Sequence, residues 1–389
     1  MTKGEQNGET KAATRRLLFV APEDWFFFSH FLALARAART AGFETALATR
    51  IDRHRQALER EGLTLFQLEG VRGSLASGSA LAEARAIKSA VAAFKPDIVH
   101  LFTVRTMLLG GLALLAHRSV RLVFAPTGLG YLYANKRFIT GLIRFVLGFV
   151  LRLWLKRGRA GMIAENPDDP VELGVGSSDP MLAIVGGAGL DSEHFPAMAM
   201  PPSPPMRFAI VARMLKSKGI AEAVAAFQHA RAVRPNVELH LYGDCDPANP
   251  TSFRPVEMEA FARAPGVFWH GHVSDVQRVW RANHIALLLS YREGMPRSLA
   301  EAAASARPII ATNVPGCREI VDHGKSGLLV PLGNVKATLE AMLRLADDAE
   351  LRASMGEAGR VRFQSRFTSD IVTGAILAHY ALVSGASRP

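Results

Sequence analysis

Residues 285–301 read IALLLSYREGMPRSLAE, and this stretch decides the fold. Ile285–Ser290 is a short apolar run bounded by a turn, the pattern of a strand buried on both faces. The chain turns through Tyr291–Pro296 and helical spacing begins at Arg297 or Ser298. A buried strand that enters a helix through a glycine-bearing turn is the repeating unit of a parallel α/β sheet. Ligands of such sheets lie beyond the carboxyl ends of the strands, where the free N–H groups of a helix start can hold a phosphate. Gly294 allows close backbone approach, Pro296 presets the first helical turn, and Glu293 stands at the mouth of the loop. Ser298 and Glu301 also fit a capping box, which is a purely structural alternative for both.

The same rhythm extends in both directions. Upstream, strands are expected at Leu17–Ala21, Glu44–Ala48, Ile98–Phe102, Arg121–Ala125 and Leu182–Val185, with helices between them. The proline-rich segment Met198–Pro205 (MAMPPSPP) suits a semi-rigid connector. Strands then restart at Arg207–Val211, Glu238–Tyr242, Val267–His270, Ile285–Ser290, Pro308–Ala311 and Leu328–Val330. This divides the chain into a disordered lead (1–16), a first doubly wound domain (17–197), a linker (198–206), a second doubly wound domain (207–365) and a terminal helix (366–389) that crosses back to the first domain.

Composition narrows the function classes. The 389 residues are 49% hydrophobic and 21% charged, with a net charge of +11, which excludes a disordered chain and favours anionic partners. Cys245 and Cys317 are the only cysteines, so neither a disulfide framework nor a cysteine zinc site is expected, and a reducing compartment is favoured. No stretch reads as a secretion signal or a membrane span. No G-x-G-x-x-G follows the first strand, which argues against a nicotinamide dehydrogenase. Arg213 and Lys218, at the strand-to-helix turn that opens the second domain, form a second candidate set: two cations there can neutralise a diphosphate leaving group. Asp168-Asp169 sits in a turn-and-cap composition, and no ligand cluster supports a metal.

Glu293 and Glu301 bracket seven residues, and the run SYREGMPRSLAEAAASARPIIATNVPGCREIVDHGKSGLLV (290–330) resembles the nucleotide-sugar motif of glycosyltransferase family 4. The resemblance continues in ENPDDP (165–170), GGAGLDSEHF (186–195) and YGDCDPANPTS (242–252). The first-domain segments WFFFSHFLALARAARTAGFETALAT (25–49), PDIVHLFTVRTMLLG (96–110) and APTGLGYLYA (125–134) are similar to the branch that acts on polyprenyl-diphosphate-linked sugars. The resemblance implies a GT-B fold and sugar transfer from a nucleotide donor, UDP by family habit, with retention of configuration and without a metal or other cofactor. It implies that Arg213 and Lys218 contact the donor diphosphate, Glu301 the ribose, and Glu293 the sugar. Gly294, Met295, Pro296, Arg297, Ser298 and Leu299 complete the donor site. His100 resembles a histidine placed near the transferred sugar. The implied partners are a nucleotide sugar, a lipid-linked saccharide and an anionic membrane surface, not nucleic acid, at the inner face of the cytoplasmic membrane.

The chain departs from the family at three places. Pro22-Glu23-Asp24-Trp25 occupies the position of a glycine-rich loop, His100 is followed by Leu101-Phe102 rather than a second histidine, and Ala306 replaces a glycine. On the first-domain face, Asp24 is a candidate to orient an acceptor hydroxyl, His30 to meet a diphosphate, and Arg105 to assist. The helix expected near Phe138–Arg157 is basic and aromatic, and Arg144, Arg152, Trp154, Lys156 and Arg157, with Phe149, are candidates for a membrane interface. The alternative for that helix is burial with its arginines at the rim. Two other function classes compete: a sugar-nucleotide epimerase or hydrolase of the same fold, and a non-catalytic binding partner.

Overall fold

The computed structural model describes residues 14–69, 77–129 and 138–385. Most of the expected lead, and residues 130–134 of the APTGLGYLYA segment, lie outside the described residues. The first domain contains β1 (Arg15–Glu23), α1 (Asp24–Thr40), β2 (Phe43–Arg50), α2 (Arg55–Arg60), β3 (Thr64–Gln67), α3 (Ser77–Phe94), β4 (Ile98–Phe102), α4 (Thr103–Ala113), β5 (Arg121–Ala125), α5 (Phe138–Lys156), β6 (Ala160–Ala164), α6 (Asp168–Glu172) and β7 (Leu182–Ile184). Among the described residues these strands form one parallel sheet in the order β3-β2-β1-β4-β5-β6-β7.

The second domain begins at β8 (Met206–Val211) and continues through α7 (Ile220–Val233), β9 (Val237–Tyr242), α8 (Pro255–Ala262), β10 (Val267–Trp269), α9 (Val276–Ala282), β11 (Ile285–Leu288), α10 (Arg297–Ala304), β12 (Ile309–Thr312), α11 (Pro315–Ile320), β13 (Gly327–Val330), α12 (Val335–Asp347) and α13 (Ala349–Arg366). Its sheet is also parallel, in the order β10-β9-β8-β11-β12-β13. Both are open doubly wound sheets. The strand order reverses between β1 and β4 in one and between β8 and β11 in the other, and such a switch point leaves a crevice for a ligand.

The central strands are apolar because helices cover both faces. Ile285, Ala286, Leu287 and Leu288 are all buried, with Leu287 and Ile285 joining one cluster and Ala286 and Leu288 the other. The last helix, α14 (Ser369–Ser384), places Val372, Ile376, Tyr380 and Val383 in the first-domain core beside Phe19 and Phe102. The connector is fastened by the buried Arg307, whose guanidinium donates to the carbonyls of Met198 and Ala199 as well as Trp280. Ala306 sits at φ 57° beside it, a left-handed conformation that costs a non-glycine residue about 1 kcal/mol.

Candidate functional site

Two adjacent strand ends build the site. After β8 the chain makes a short 3-10 turn over Lys216–Lys218, and Gly219 at φ 69° opens α7. A side chain at Gly219 would strike the Leu289 carbonyl, so this turn must lie flat on the end of β11. The Tyr291 amide donates to the Ser217 carbonyl at 2.9 Å, and Lys218 Nζ lies 2.5 Å from Glu293 Oε1. These contacts tie the two loops together. Arg213, on the same turn, pairs with Asp246 at 2.7 Å and remains half exposed.

These loops open on a cavity of about 650 Å³. Arg213, Lys218, Glu293, Met295, Pro296, Arg297, Ser298 and Glu301 line it, faced by Trp25 and His30 from the first domain. Tyr242, Asp244, Asp246 and His272 complete one end; none of these four, nor Trp25, was named as a site residue from the sequence, although Tyr242, Asp244 and Asp246 lie in the YGDCDPANPTS segment and Trp25 in the first turn of α1. Glu301 is buried, which raises its pKa, and Arg297 opposes the rise by pairing with it at 2.9 Å. The capping-box alternative fails: α10 is capped at Pro296 with no side-chain bond, and the Glu301 carboxylate is taken by Arg297. Two expected donor residues lie elsewhere. The Leu299 side chain is in the core, and Gly294 lines an adjoining cavity of about 300 Å³ that also reaches Arg213, Lys218 and Glu293.

The two domains are clasped at this point. Asn166 Nδ2 donates to the Gly294 carbonyl at 3.0 Å, Arg292 pairs with Asp169 at 2.8 Å and Glu172 at 2.9 Å, and Arg318 pairs with Asp168 at 3.0 Å. Arg297 also donates to the Ser29 carbonyl of α1 at 2.5 Å. ENPDDP thus does cap α6, through Asn166 Oδ1 accepting from the Asp169 amide, but its aspartates also bind the second domain, Asp169 at Arg292 of the loop after β11 and Asp168 at Arg318 of α11. A matching surplus of arginines at 292, 297 and 318 was the available signal. Gly294 and Gly128, the latter at φ 87°, meet backbone to backbone across the cleft, and a Cβ on Gly294 would also collide with Glu165.

Several first-domain expectations are corrected. Asp24 is fully buried, with Oδ2 accepting from the amides of Asp52, Arg53 and His54 at 2.8 Å and Oδ1 from Trp25 at 2.6 Å. Burial raises its pKa, but these four amides outweigh it and hold the carboxylate below its usual range. It anchors the entry to α2 and, fully buried, does not line the cavity. His100 is buried under the cleft floor, stacked on Phe102 at 4.0 Å with Nδ1 2.5 Å from the Tyr380 hydroxyl. Burial, and then the charge of His379, lowers its pKa to about 3. It is a packed histidine and does not reach the cavity. Arg105 is spent on buried Glu83 at 2.8 Å. His30 does line the cavity, but burial and then Arg297 lower its pKa to about 4, so it faces the cavity as a neutral ring.

The α5 helix divides its candidates by face. Trp154 is buried and donates to the Gly111 carbonyl at 2.9 Å, so it is a core residue and not a membrane anchor. Leu142, Phe145 and Phe149 are exposed, Phe145 at 67%, and Arg152, Lys156 and Arg157 are exposed at the carboxyl end. Arg144 is half-buried, with Nε donating to the Thr140 carbonyl. Among the described residues no helix is long and apolar enough to cross a membrane.

Two facing doubly wound domains, with a carboxylate-and-cation cleft at the switch point of the second, define the GT-B class of sugar-nucleotide proteins. Residues 205–348 match the family described as glycosyl transferases group 1, and residues 16–156 match the family described as glycosyl transferase 4-like. The chain belongs to the GT-B glycosyltransferases of family 4. It is 32% identical over 162 residues to a capsular polysaccharide biosynthesis glycosyltransferase, CapM, of Staphylococcus aureus, covering 42% of each chain. It is 24% identical over 242 residues to the N,N'-diacetylbacillosaminyl-diphospho-undecaprenol alpha-1,3-N-acetylgalactosaminyltransferase of Campylobacter jejuni, covering 59% of this chain and 62% of that one. Both matches thus span less than two thirds of the relative. In fold it is similar to Anabaena Alr3699/HepE in complex with UDP, at TM-score 0.74 and 15% identity over 94% of this chain and 99% of the other.

Proposed function

We propose that the chain is a retaining, metal-independent glycosyltransferase that moves a sugar from a UDP-sugar to a polyprenyl-diphosphate-linked saccharide in polysaccharide assembly. The observation that carries this reading is the single cavity in which Glu293, Arg213, Lys218 and Glu301 converge from two loops under a first-domain wall. Glu301, buried and oriented by Arg297, accepts from the ribose hydroxyls. Negative charge builds on the departing diphosphate in the transition state, and Lys218 and Arg213, both lining the cavity, supply the positive charge that offsets it. Glu293 holds the sugar and, through Lys218, is tied to that same charge. The UDP in the Anabaena structure and the undecaprenol-linked acceptor named for the Campylobacter relative support the donor and acceptor classes. The exposed Leu142–Phe145–Phe149 face of α5, continued by Arg152 and Lys156, supports peripheral binding at an anionic membrane where such an acceptor resides.

A panel of nucleotide sugars tests this, read by thermal shift and by product analysis with and without a lipid-linked acceptor. A bound donor at 100 times its Kd adds about 2.7 kcal/mol of stability. Glu301→Ala removes a charge-assisted bond of about 1.5–3 kcal/mol, so UDP affinity is expected to fall at least tenfold while Glu293→Ala retains UDP and loses turnover. Donor hydrolysis or epimerisation without transfer to any acceptor overturns the reading.

A further inference from the structure

The carboxyl of Glu165, just past the end of β6, has no role in the donor site, yet it lies on the seam between the domains. Its Oε2 occupies the space where a side chain on Gly294 would project, next to the Gly128 backbone. Its other wall is a small pocket of about 10 Å³, shared with His100 in the middle of β4 and with Phe102, Thr127 and Gly187 at or just past strand ends of the first domain. The groups that act on it electrostatically are two carboxylates, Asp169 on α6 and Glu293 on the donor loop. Their cations are turned elsewhere: Arg292 binds Asp169, and Lys218 binds Glu293. His100, the titratable group on β4, is held neutral by burial, as is His379 beyond it.

We propose that Glu165 is a positioning residue of the transfer site, a carboxyl that keeps the Gly294–Glu293 loop seated against the first domain only while it carries a proton. Three carboxyls crowd one seam, where the Gly128 and Gly294 backbones meet directly. A neutral Glu165 removes the repulsion and offers an O–H to the loop or to a sugar hydroxyl beside Glu293. Burial, then Asp169, then Glu293 push its pKa up to about 8, so it keeps its proton at neutral pH and loses it within the working range of an enzyme. When the proton leaves, a new negative charge appears beside Glu293 and the loop loosens. The inference rests on the glycosyltransferase reading above.

The test compares Glu165→Gln, which is neutral at every pH and still donates, with Glu165→Leu, which fills the space and donates nothing. For the wild type, kcat/KM for sugar transfer should fall about tenfold between pH 7 and pH 9, as expected for a group titrating near 8. The glutamine variant should lack that limb and should exceed the leucine variant at least tenfold at pH 7. Thermal unfolding gives a readout that needs no activity. A carboxyl whose folded pKa lies above its unfolded value loses stability as pH rises between the two. The advantage of Glu165→Gln in Tm should therefore grow from pH 5 to pH 8 and level off above. A constant Tm difference overturns the proposal, as does an alkaline limb that survives in the glutamine variant. If the wild type transfers sugar and only these pH effects are missing, Glu165 is a packing residue and the enzyme reading stands. Absence of transfer by the wild type with every donor overturns both.

Discussion

The two walls of the cleft carry candidate residues of the same types and differ in what the fold does with them. In the second domain, the charged residues singled out on the loops after β8 and β11 meet in one cavity. In the first domain, Asp24 is consumed by backbone amides, His100 by Tyr380 and Arg105 by Glu83. The difference lies in position relative to the strand ends. Arg213, Lys218 and Glu293 lie on two adjacent strand-to-helix turns at a switch point, and Glu301 one turn into the helix that follows, where the backbone itself aims side chains at the crevice. Asp24 and His100 lie at the first residue of a helix and in the middle of a strand, where a neighbouring element is near enough to claim them. A polar residue in such a place is satisfied by the fold before a ligand arrives.

The sharpest way to break this contrast is to remove the charge from the second-domain wall. Replacing Arg213 and Lys218 together by alanine removes two charge-assisted interactions of about 1.5–3 kcal/mol each. Transfer is expected to fall by at least a hundredfold, with the Tm changed little by loss of the half-exposed Arg213 pair and more by loss of Lys218, which leaves Glu293 without its cation. Rates measured with and without chelator check this. A metal-dependent rate that tolerates the double change would place the charge stabilisation outside these two loops.

The α5 helix offers the same contrast on its two faces. Trp154 fills the core against α4 and bonds Gly111, so Trp154→Ala should cost about 3–5 kcal/mol. Phe149, exposed, should change stability by less than about 0.5 kcal/mol when made alanine. Flotation with anionic vesicles sharpens the point. Phe149→Ala and the triple change of Arg152, Lys156 and Arg157 to glutamate should each weaken binding, the latter by about 1 kcal/mol per charge. Neutral vesicles should bind neither. Unchanged flotation in the triple variant would move the membrane contact elsewhere.

Much of the fold was legible because buried parallel strands announce themselves as apolar runs. Ile98–Phe102 and Arg121–Ala125 were expected with the bounds they have. Two strands were missed. β3 (Thr64–Gln67) is a half-exposed edge strand with no apolar run, and β6 (Ala160–Ala164) reads AGMIA, where small residues hide a fully buried centre. The β6 composition has a reason: a side chain at Gly161 would collide with His379 of α14. The second-domain site was legible because its residues are local in sequence. The ENPDDP clasp was not, because its partners Gly294, Arg292 and Arg318 lie more than a hundred residues away and only the closed arrangement of two domains brings them together.

Asp24 gives the smallest expected effect on turnover and the most direct decision between the two kinds of wall. Its carboxylate is matched to the amides of Asp52, Arg53 and His54 at the entry to α2, and His54 stacks on Phe28 at 4.6 Å to close the motif. Alanine there leaves buried donors unsatisfied, at a cost of about 1–3 kcal/mol. Asparagine keeps one acceptor and should cost less. Because the folded carboxylate titrates below its unfolded value, its contribution is present above the unfolded value of about 4 and is lost as pH falls through the lower folded one. Wild type and Asp24→Asn should therefore differ in Tm at pH 7 and converge at the acid end. If Asp24 only anchors α2, the folded variant should turn over within about twofold of wild type, since no bond to substrate is lost. A variant that folds and melts normally yet has lost turnover would return Asp24 to the acceptor site, and the first-domain wall would then read like the second.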